Sequence, residues 1–534
     1  MLKSSGAMGF ATFLSRLLGL VREQVYAHFM GDGPVASAFK LAFQIPNLFR
    51  RLLGEGALTA AFVPIFKEKE KTAGEVEMWR AANAVMSGLI VAAAAVIGLA
   101  MLGISLVLAL SAARFTRDAA AVFPPLPMSD NARLMLQLLR LMFPYLLLVC
   151  LAALCIGMLN ARGHFFIPAL GATMLNVVMI ATVLFLAPRF GKRLETQIFA
   201  LGVGVLAAGV AQFVFQLPSL WAEGFRYRWV TPWGNETVRE VVRKMVPGML
   251  GVAAFQLNVL LVQSLAFWVD PVIVASFDYA VRLMEFPQGI VGLSLATYLL
   301  PTLSGLAAEK KYPEFRATLR EGLGHLVFVN LLASVLLVVL AEPIVRLLFE
   351  RGQFTAASTH RAALALACLA PGLALFSTVN VLARAFYALG DTKAPMKISV
   401  FCLGLNLFCA VWLIGPFRQA GLGLANTLSS AANVWLLAHA LRRKLSRLEW
   451  EPLRPVLLAL LGATLAAGAV GWVGSWLWQN QLGCGTLLRK CGQVFVPMTA
   501  AVLLYWGLAW WLRVPQAREI GGLLVRRFRG YPPE

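Results

Sequence analysis

Residues 144–168 read PYLLLVCLAALCIGMLNARGHFFIP, and residues 371–395 read PGLALFSTVNVLARAFYALGDTKAP. Both stretches begin and end on proline at the same spacing, and Gly163 of the first matches Gly390 of the second. A looser pair lies upstream of each. VASAFKLAFQIP (35–46) resembles VASFDYAVRLMEFP (274–287), and each runs on to a later proline, Pro64 or Pro301. Both pairs are offset by about 230 to 240 residues, as expected of two related halves. Transporters built this way bind substrate between the halves and alternate access by rocking one against the other. A channel needs no such duplication.

The halves are membrane halves. The chain has 534 residues, 59% hydrophobic and 14% charged, where a soluble protein carries roughly a quarter charged. Runs such as Ala82–Ala112, Ile167–Ala187, Leu323–Leu340 and Val456–Leu477 reach or exceed the ~18 apolar residues that mark a transmembrane helix. Periodicity and breakers predict an all-α polytopic membrane protein of about 14 transmembrane helices. The expected cores are 7–29, 36–66, 82–112, 134–159, 165–187, 196–220, 245–268, 272–304, 323–348, 362–388, 395–415, 420–441, 455–478 and 494–512. Two pseudo-symmetric six-helix lobes follow, 1–222 and 223–444, with two extra helices and a basic tail in 445–534. The N-terminal MLKSSGAMGFATFLSRLLGLVREQ reads as a retained first span, because Arg16 interrupts its apolar region and no small-x-small cleavage site follows.

The net charge is +21. With both termini inside, inner segments hold about 27 lysines and arginines and outer loops about 11, so the positive-inside rule places both termini in the cytoplasm. The loop RFGKR (189–193) runs against this trend. There is no RNA-binding motif and no basic tail with interleaved aromatics, so nucleic acid is not an expected partner. The seven cysteines show no metal spacing. Cys150, Cys155, Cys368, Cys402 and Cys409 lie in apolar spans as packing residues, while Cys484 and Cys491 share one outer loop. A disulfide and two free thiols both stay open there. No His/carboxylate metal cluster, GxSxG or phosphate loop is found, so no enzyme chemistry is expected.

Nine basic residues remain inside spans: Arg16, Arg22, Lys40, Arg50, Arg51, Arg140, Arg282, Arg346 and Arg384. A charge at the bilayer centre costs about 3 kcal/mol on insertion scales, so such residues face a wet cavity or a partner. Snorkelling from span ends accounts for Arg140, Arg346 and Arg384. It does not account for Arg16, Arg50 or Arg282. Arginine offers a fixed charge and a planar donor fork suited to phosphate or carboxylate. Six of the nine lie in spans 1, 2 and 8, and spans 2 and 8 are counterparts in the repeat. Their cations are expected to face one cavity and to select an anionic substrate, phosphate before carboxylate.

Local partners refine the choice. Asp278 at i−4 and Glu285 at i+3 share a helix face with Arg282, so a self-neutralised tether is the competing reading there. Arg51 and Glu55 are four apart and expected to pair. Arg50 points about 100° away from Arg51 and has no acid three or four residues distant. It is therefore the better ligand of the two. In span 1, Ser15 shares a face with Arg22, and Arg16 with Glu23. Pro46, Gly54, Gly56 and Pro64 punctuate span 2, and Pro287, Gly289, Gly292 and Pro301 punctuate span 8, as expected of bent helices at a binding site.

Four motifs carry a resemblance over nearly the whole chain. SRLLGLVRE (15–23), PNLFRRLLGEGALTAAFVPIF (46–66), RLMEFPQGIVGLSLATYLLPTLS (282–304) and FYALGDTKAPMK (386–397) resemble the lipid II flippase family, MurJ, also called MviN. The superfamily includes multidrug exporters and polysaccharide-lipid flippases. The resemblance implies flipping of lipid II, undecaprenyl-diphosphate carrying a disaccharide-pentapeptide, from the inner to the outer leaflet of the bacterial inner membrane for peptidoglycan synthesis. It implies that Arg16, Arg22, Arg50 and Arg282, with Ser15 beside them, bind the diphosphate and headgroup, and that spans 13 and 14 form a groove for the lipid tail. Glu23, Lys40, Arg51, Glu55, Asp278 and Glu285 are then supporting or gating residues. The chain departs from the family in Ser37 and Val281, where an acid is common, and in Lys40, an extra cation that makes the cavity more positive. Some members bind sodium between spans 7 and 11, where this chain offers only Gln256, Asn258 and Asn406. No other cofactor is expected. The expected partners are lipid II, membrane lipids and the cell-wall synthesis machinery, with the chain itself a monomer. A flippase for another undecaprenyl-diphosphate-linked glycan is the alternative. A drug/cation antiporter is disfavoured because its site concentrates acids.

Overall fold

The computed structural model describes residues 2–54, 57–112, 128–289, 293–445 and 453–528. All regular structure among them is helical. The chain divides into two compact units, Met1–Ala275 and Ser276–Glu534.

The first unit holds α1 (Leu2–Met30), α2 (Pro34–Phe49), a π-type segment (Arg50–Gly54), α3 (Ala57–Ala112), α4 (Asp130–Met142), α5 (Tyr145–Ala161), α6 (Phe166–Ala181), α7 (Leu194–Val214), α8 (Leu217–Ala222) and α9 (Glu236–Val269). The helix α10 (Val272–Pro287) begins in it and continues into the second unit. The second unit goes on with α11 (Leu293–Ala308), α12 (Tyr312–Val339), α13 (Ala341–Phe349), α14 (Ala356–Leu369), α15 (Gly372–Ala388), α16 (Lys393–Lys444), α17 (Leu453–Leu482), α18 (Leu487–Trp511) and α19 (Pro515–Phe528). The repeat boundary expected at 222/223 and the boundary between compact units at 275/276 differ because α9 packs on α2 and α3.

Wherever they are described, the fourteen expected cores lie largely in helix, with turns at 143–144, 215–216, 340 and 370–371 inside four of them. By length and composition, eight described helices can cross a membrane, or ten when each of two bent pairs counts as one span. The difference from fourteen arises where continuous helices are broken. The 52 residues of α16 would extend ~78 Å unbroken, far beyond a ~30 Å hydrocarbon core. The break is at Arg418 (φ 49°, ψ −126°), between the cores expected at 395–415 and 420–441. Gly421 follows because a Cβ there would lie 2.2 Å from the Leu413 carbonyl oxygen. The expected single span 36–66 is likewise divided by the π-type segment at Arg50.

The duplication is legible in the backbone. Helices α5 and α15 start and stop at a constant offset of 227 positions. Each is entered through a bend, 44° after α4 and 41° after α14. Each leaves through the same turn: Gly163 N–H bonds Asn160 O and His164 N–H bonds Leu159 O, as Gly390 bonds Tyr387 O and Asp391 bonds Phe386 O. Both glycines have positive φ, 89° and 72°, the usual left-handed close of a helix. Helices α2 and α10 correspond at an offset of 238 positions, and π-type turns follow both, at Arg50 and at Gln288. π-type turns inside helices are rare and concentrate at functional sites.

Lipid tails are as apolar as leucine, so helix association in a membrane depends on close packing at small residues. On α7, Gly209 lies against α5, where an added Cβ would come 2.8 Å from the Tyr145 ring and 3.0 Å from Leu148. Tyr145 is buried and donates to Gln212 Oε1 at 3.3 Å. Gly209→Val is expected to cost about 2 kcal/mol through overpacking. Thermal unfolding of the purified protein checks this, and an unchanged midpoint would show that α5 and α7 separate without cost.

Candidate functional site

The first unit contains a charged cluster between α1 and α2. Glu23 is 4% exposed. It takes a hydrogen bond from Arg22 at 2.6 Å and lies 3.7 Å from the Lys40 ammonium of α2. The Arg22 guanidinium also lies over the Tyr26 ring, 5.5 Å from its centroid. Residues 22 and 26 are one helical turn apart, which places cation and ring on one face. Tyr26 in turn meets Phe39 edge-on at 6.0 Å. Two cations thus face the Glu23 carboxylate. Lys40, the extra cation of the sequence reading, lies beside Glu23.

Arg50 opens the π-type segment, and its Nε donates to Asn47 Oδ1 at 2.7 Å. Asn47 escapes a search restricted to acids, although it stands at i−3. Arg51 Nη1 reaches Gln256 Oε1 of α9 at 3.4 Å, a contact across two helices. The expected Arg51–Glu55 pair lies outside the described residues. Arg16 is exposed and Ser15 half-buried. The carbonyl of Ser15 accepts from Asn176 Nδ2 of α6 at 3.1 Å. Ser37, where the family often has an acid, is buried and accepts the Ala275 amide at 3.0 Å through its hydroxyl.

In the second unit, Arg282 lies 3.0 Å from Glu285 and 4.0 Å from Asp278. All three share a face of α10 as the spacing predicts, and Arg282 engages both acids. Asn406 is buried on α16. Of the amides named for sodium, Gln256 presents its oxygen to the Arg51 guanidinium.

Two further clusters were not anticipated. Arg162, at the end of α5, bonds Glu70 at 2.5 Å, Glu75 at 3.0 Å and Glu223 at 2.7 Å. His164 lies 2.7 Å from Glu223. The repeat places Asp391 where the first half has His164, and Asp391 takes Lys444 at 2.7 Å. Each half thus ties the residue after its left-handed glycine to the end of its sixth span, with the carboxylate on opposite partners. Lys67 and Arg162 hold Glu70 below the usual carboxylate range, and His164 and Arg162 do the same for Glu223. A lowered carboxylate pKa contributes stability that is present above the unfolded value and lost as pH falls through the folded one. Protection of the 159–165 amides, taken relative to their intrinsic exchange rates at each pH, is therefore expected to be high at neutral pH and to fall below about pH 4.5. Equal protection at both pH values would contradict the clasp.

The second cluster surrounds Arg346 on α13. It pairs with Glu342 and, at 3.5 Å, with Glu350. Lys490 of α18 bonds Glu350 at 3.2 Å. Ion pairing, not snorkelling, accommodates Arg346. Near the same end of α18, Trp478, Leu488, Arg489, Cys491, Gly492 and Phe495 line a cleft of about 310 Å³. Cys484 and Cys491 are free thiols, as are the other five cysteines.

Comparison with known proteins agrees with this layout. The family described as lipid II flippase MurJ matches residues 26–491. A probable lipid II flippase MurJ of Haemophilus influenzae is 34% identical over 440 residues, 81% of this chain and 84% of the relative. A lipid II flippase MurJ of Burkholderia cenocepacia is 32% identical over 510 residues, 93% of this chain and 95% of the relative. Among solved structures, a lipid II flippase MurJ in an inward closed conformation superposes with a TM-score of 0.74 at 20% identity, over 94% of this chain and 98% of that one. An inward-facing multidrug resistance transporter of the MATE family, MOP superfamily, gives 0.62 at 14% identity, over 81% and 94%. The two structural likenesses show a shared fold.

Proposed function

The chain belongs to the lipid II flippase MurJ family, and on that premise we propose that it carries lipid II from the inner to the outer leaflet by alternating access. The observation that carries this reading is the set of cations on α1, α2 and the π-type segment: Arg16, Arg22, Lys40, Arg50 and Arg51. Guanidinium forks bind phosphate oxygens in pairs, with charge-assisted bonds roughly twice as strong as neutral ones. Arg50 is the principal diphosphate ligand, because its acceptor Asn47 is neutral and exchangeable. Arg22 and Arg16 extend the cationic surface along α1, with Ser15 beside them. Arg51 fixes the π-type segment to α9 through Gln256. Arg282 supplies the second unit's cation, and Asp278 and Glu285 orient it. No step runs through sodium. The α17–α18 pair takes the isoprenoid tail. Both termini lie in the cytoplasm, as the distribution of lysine and arginine supports.

The fold shared with a multidrug transporter favours one other reading, cation export. The concentration of arginines over acids on α1 and α2 argues against it. A flippase for a different undecaprenyl-diphosphate glycan shares the diphosphate chemistry. Competition in proteoliposomes separates the two. Excess lipid II is expected to block flipping of the other glycan lipid, and preference for that lipid over lipid II would overturn the assignment.

A further inference from the structure

The Glu23 cluster does more than place charge. In a low-dielectric site, a cation stripped of its partner costs several kcal/mol. Arg22 and Lys40, 13% and 9% exposed along their side chains, therefore need an anion whenever no substrate is present. Glu23 meets both from one buried position, at 2.6 Å and 3.7 Å. We propose that Glu23 is a built-in counter-ion, occupying Arg22 and Lys40 between transport cycles and giving way to the phosphate of the lipid. The proposal rests on the flippase reading above.

Binding then becomes an exchange of one anion for another. Phosphate gains its contacts only to the extent that they exceed those of the carboxylate, so affinity is held down. Release is helped for the same reason, because Glu23 returns to the cations as phosphate leaves. A carrier needs both properties, since a ligand held too tightly leaves slowly and stalls turnover. The Tyr26 ring under Arg22 keeps the guanidinium in place during the exchange.

Glu23→Gln keeps the size and hydrogen-bonding oxygen of the side chain and removes its charge. The purified full chain is tested for binding of undecaprenyl diphosphate, lipid II and phosphate-free undecaprenol. Glu23→Gln is expected to bind both diphosphate lipids about tenfold tighter, to leave undecaprenol unchanged, and to flip lipid II more slowly because release is slowed. Lys40→Gln is expected to weaken diphosphate binding. A merely structural Glu23 would give equal or weaker binding in a folded Glu23→Gln protein, which overturns the proposal. If that variant does not fold, Glu23→Asp, with its carboxylate drawn back by one methylene, should tighten binding about threefold, and unchanged binding there overturns it too. Should the wild type bind none of the phosphate lipids, the flippase reading and the counter-ion fall together. Should it bind them with no gain in Glu23→Gln, only the counter-ion falls.

Discussion

Arg50→Ala is expected to lower lipid II flipping about a hundredfold, equivalent to ~2.7 kcal/mol of lost stabilisation, with the fold retained. Arg50 sits where α2 gives way to the π-type segment, and its Nε is held by Asn47 at 2.7 Å. Loss of the side chain removes a charged fork from the diphosphate while leaving the helix packing in place. Arg50→Lys keeps the charge without the planar fork and should lose about tenfold. Arg51→Ala should behave differently. Arg51 bonds Gln256 across to α9, so its loss should lower thermal stability more than it lowers the activity of folded protein. Complementation of a strain depleted of its own flippase, together with flipping rates, checks all three. Full activity of Arg50→Ala would remove Arg50 from the mechanism.

Arg162→Ala is expected to destabilise the first unit by about 2–3 kcal/mol, the scale of lost hydrogen bonds to charged groups. Its guanidinium joins Glu70 and Glu75, on either side of the break in α3 at Gly74 (φ 83°, ψ 175°), to Glu223 after α8, with all three bonds at 3.0 Å or less. Alanine leaves the three carboxylates facing one another without a cation. The side chain is 20% exposed, so water moderates the penalty compared with a fully buried pair. The thermal midpoint should fall by several degrees, with partial recovery in the double variant Arg162→Ala, Glu223→Gln. Wild-type stability in the single variant would show that the cluster contributes nothing.

Much of the fold was legible because prolines and glycines mark its breaks. Pro144, Gly163, Pro371 and Gly390 identify a repeated helix whose bounds and closing turns agree residue for residue. The acids around Arg282 were legible for a related reason, since neighbours at i−4 and i+3 follow from helix geometry alone. Contacts between helices were not. Lys40 and Glu23 are seventeen residues apart on different helices, and no periodicity joins them. Arg51 meets Gln256 at a separation of 205 residues. The Arg162 clasp draws its acids from two distant places in the chain, 70–75 and 223, each of which reads as ordinary solvated charge. Arg346 sits near a helix end, where snorkelling and pairing predict the same sequence. Asn47 was overlooked because neutral amides were not counted as arginine acceptors.

The central claim is tested most directly by purified protein in proteoliposomes that contain lipid II in both leaflets. Access of the headgroup to an external, membrane-impermeant modifying enzyme reports the flip. Wild-type vesicles are expected to expose nearly all the lipid II, while protein-free vesicles stop at the fraction first present outside and Arg50→Ala vesicles pass it about a hundredfold more slowly than the wild type. Wild-type vesicles that stop at that same fraction, with the protein folded and inserted, would contradict the account.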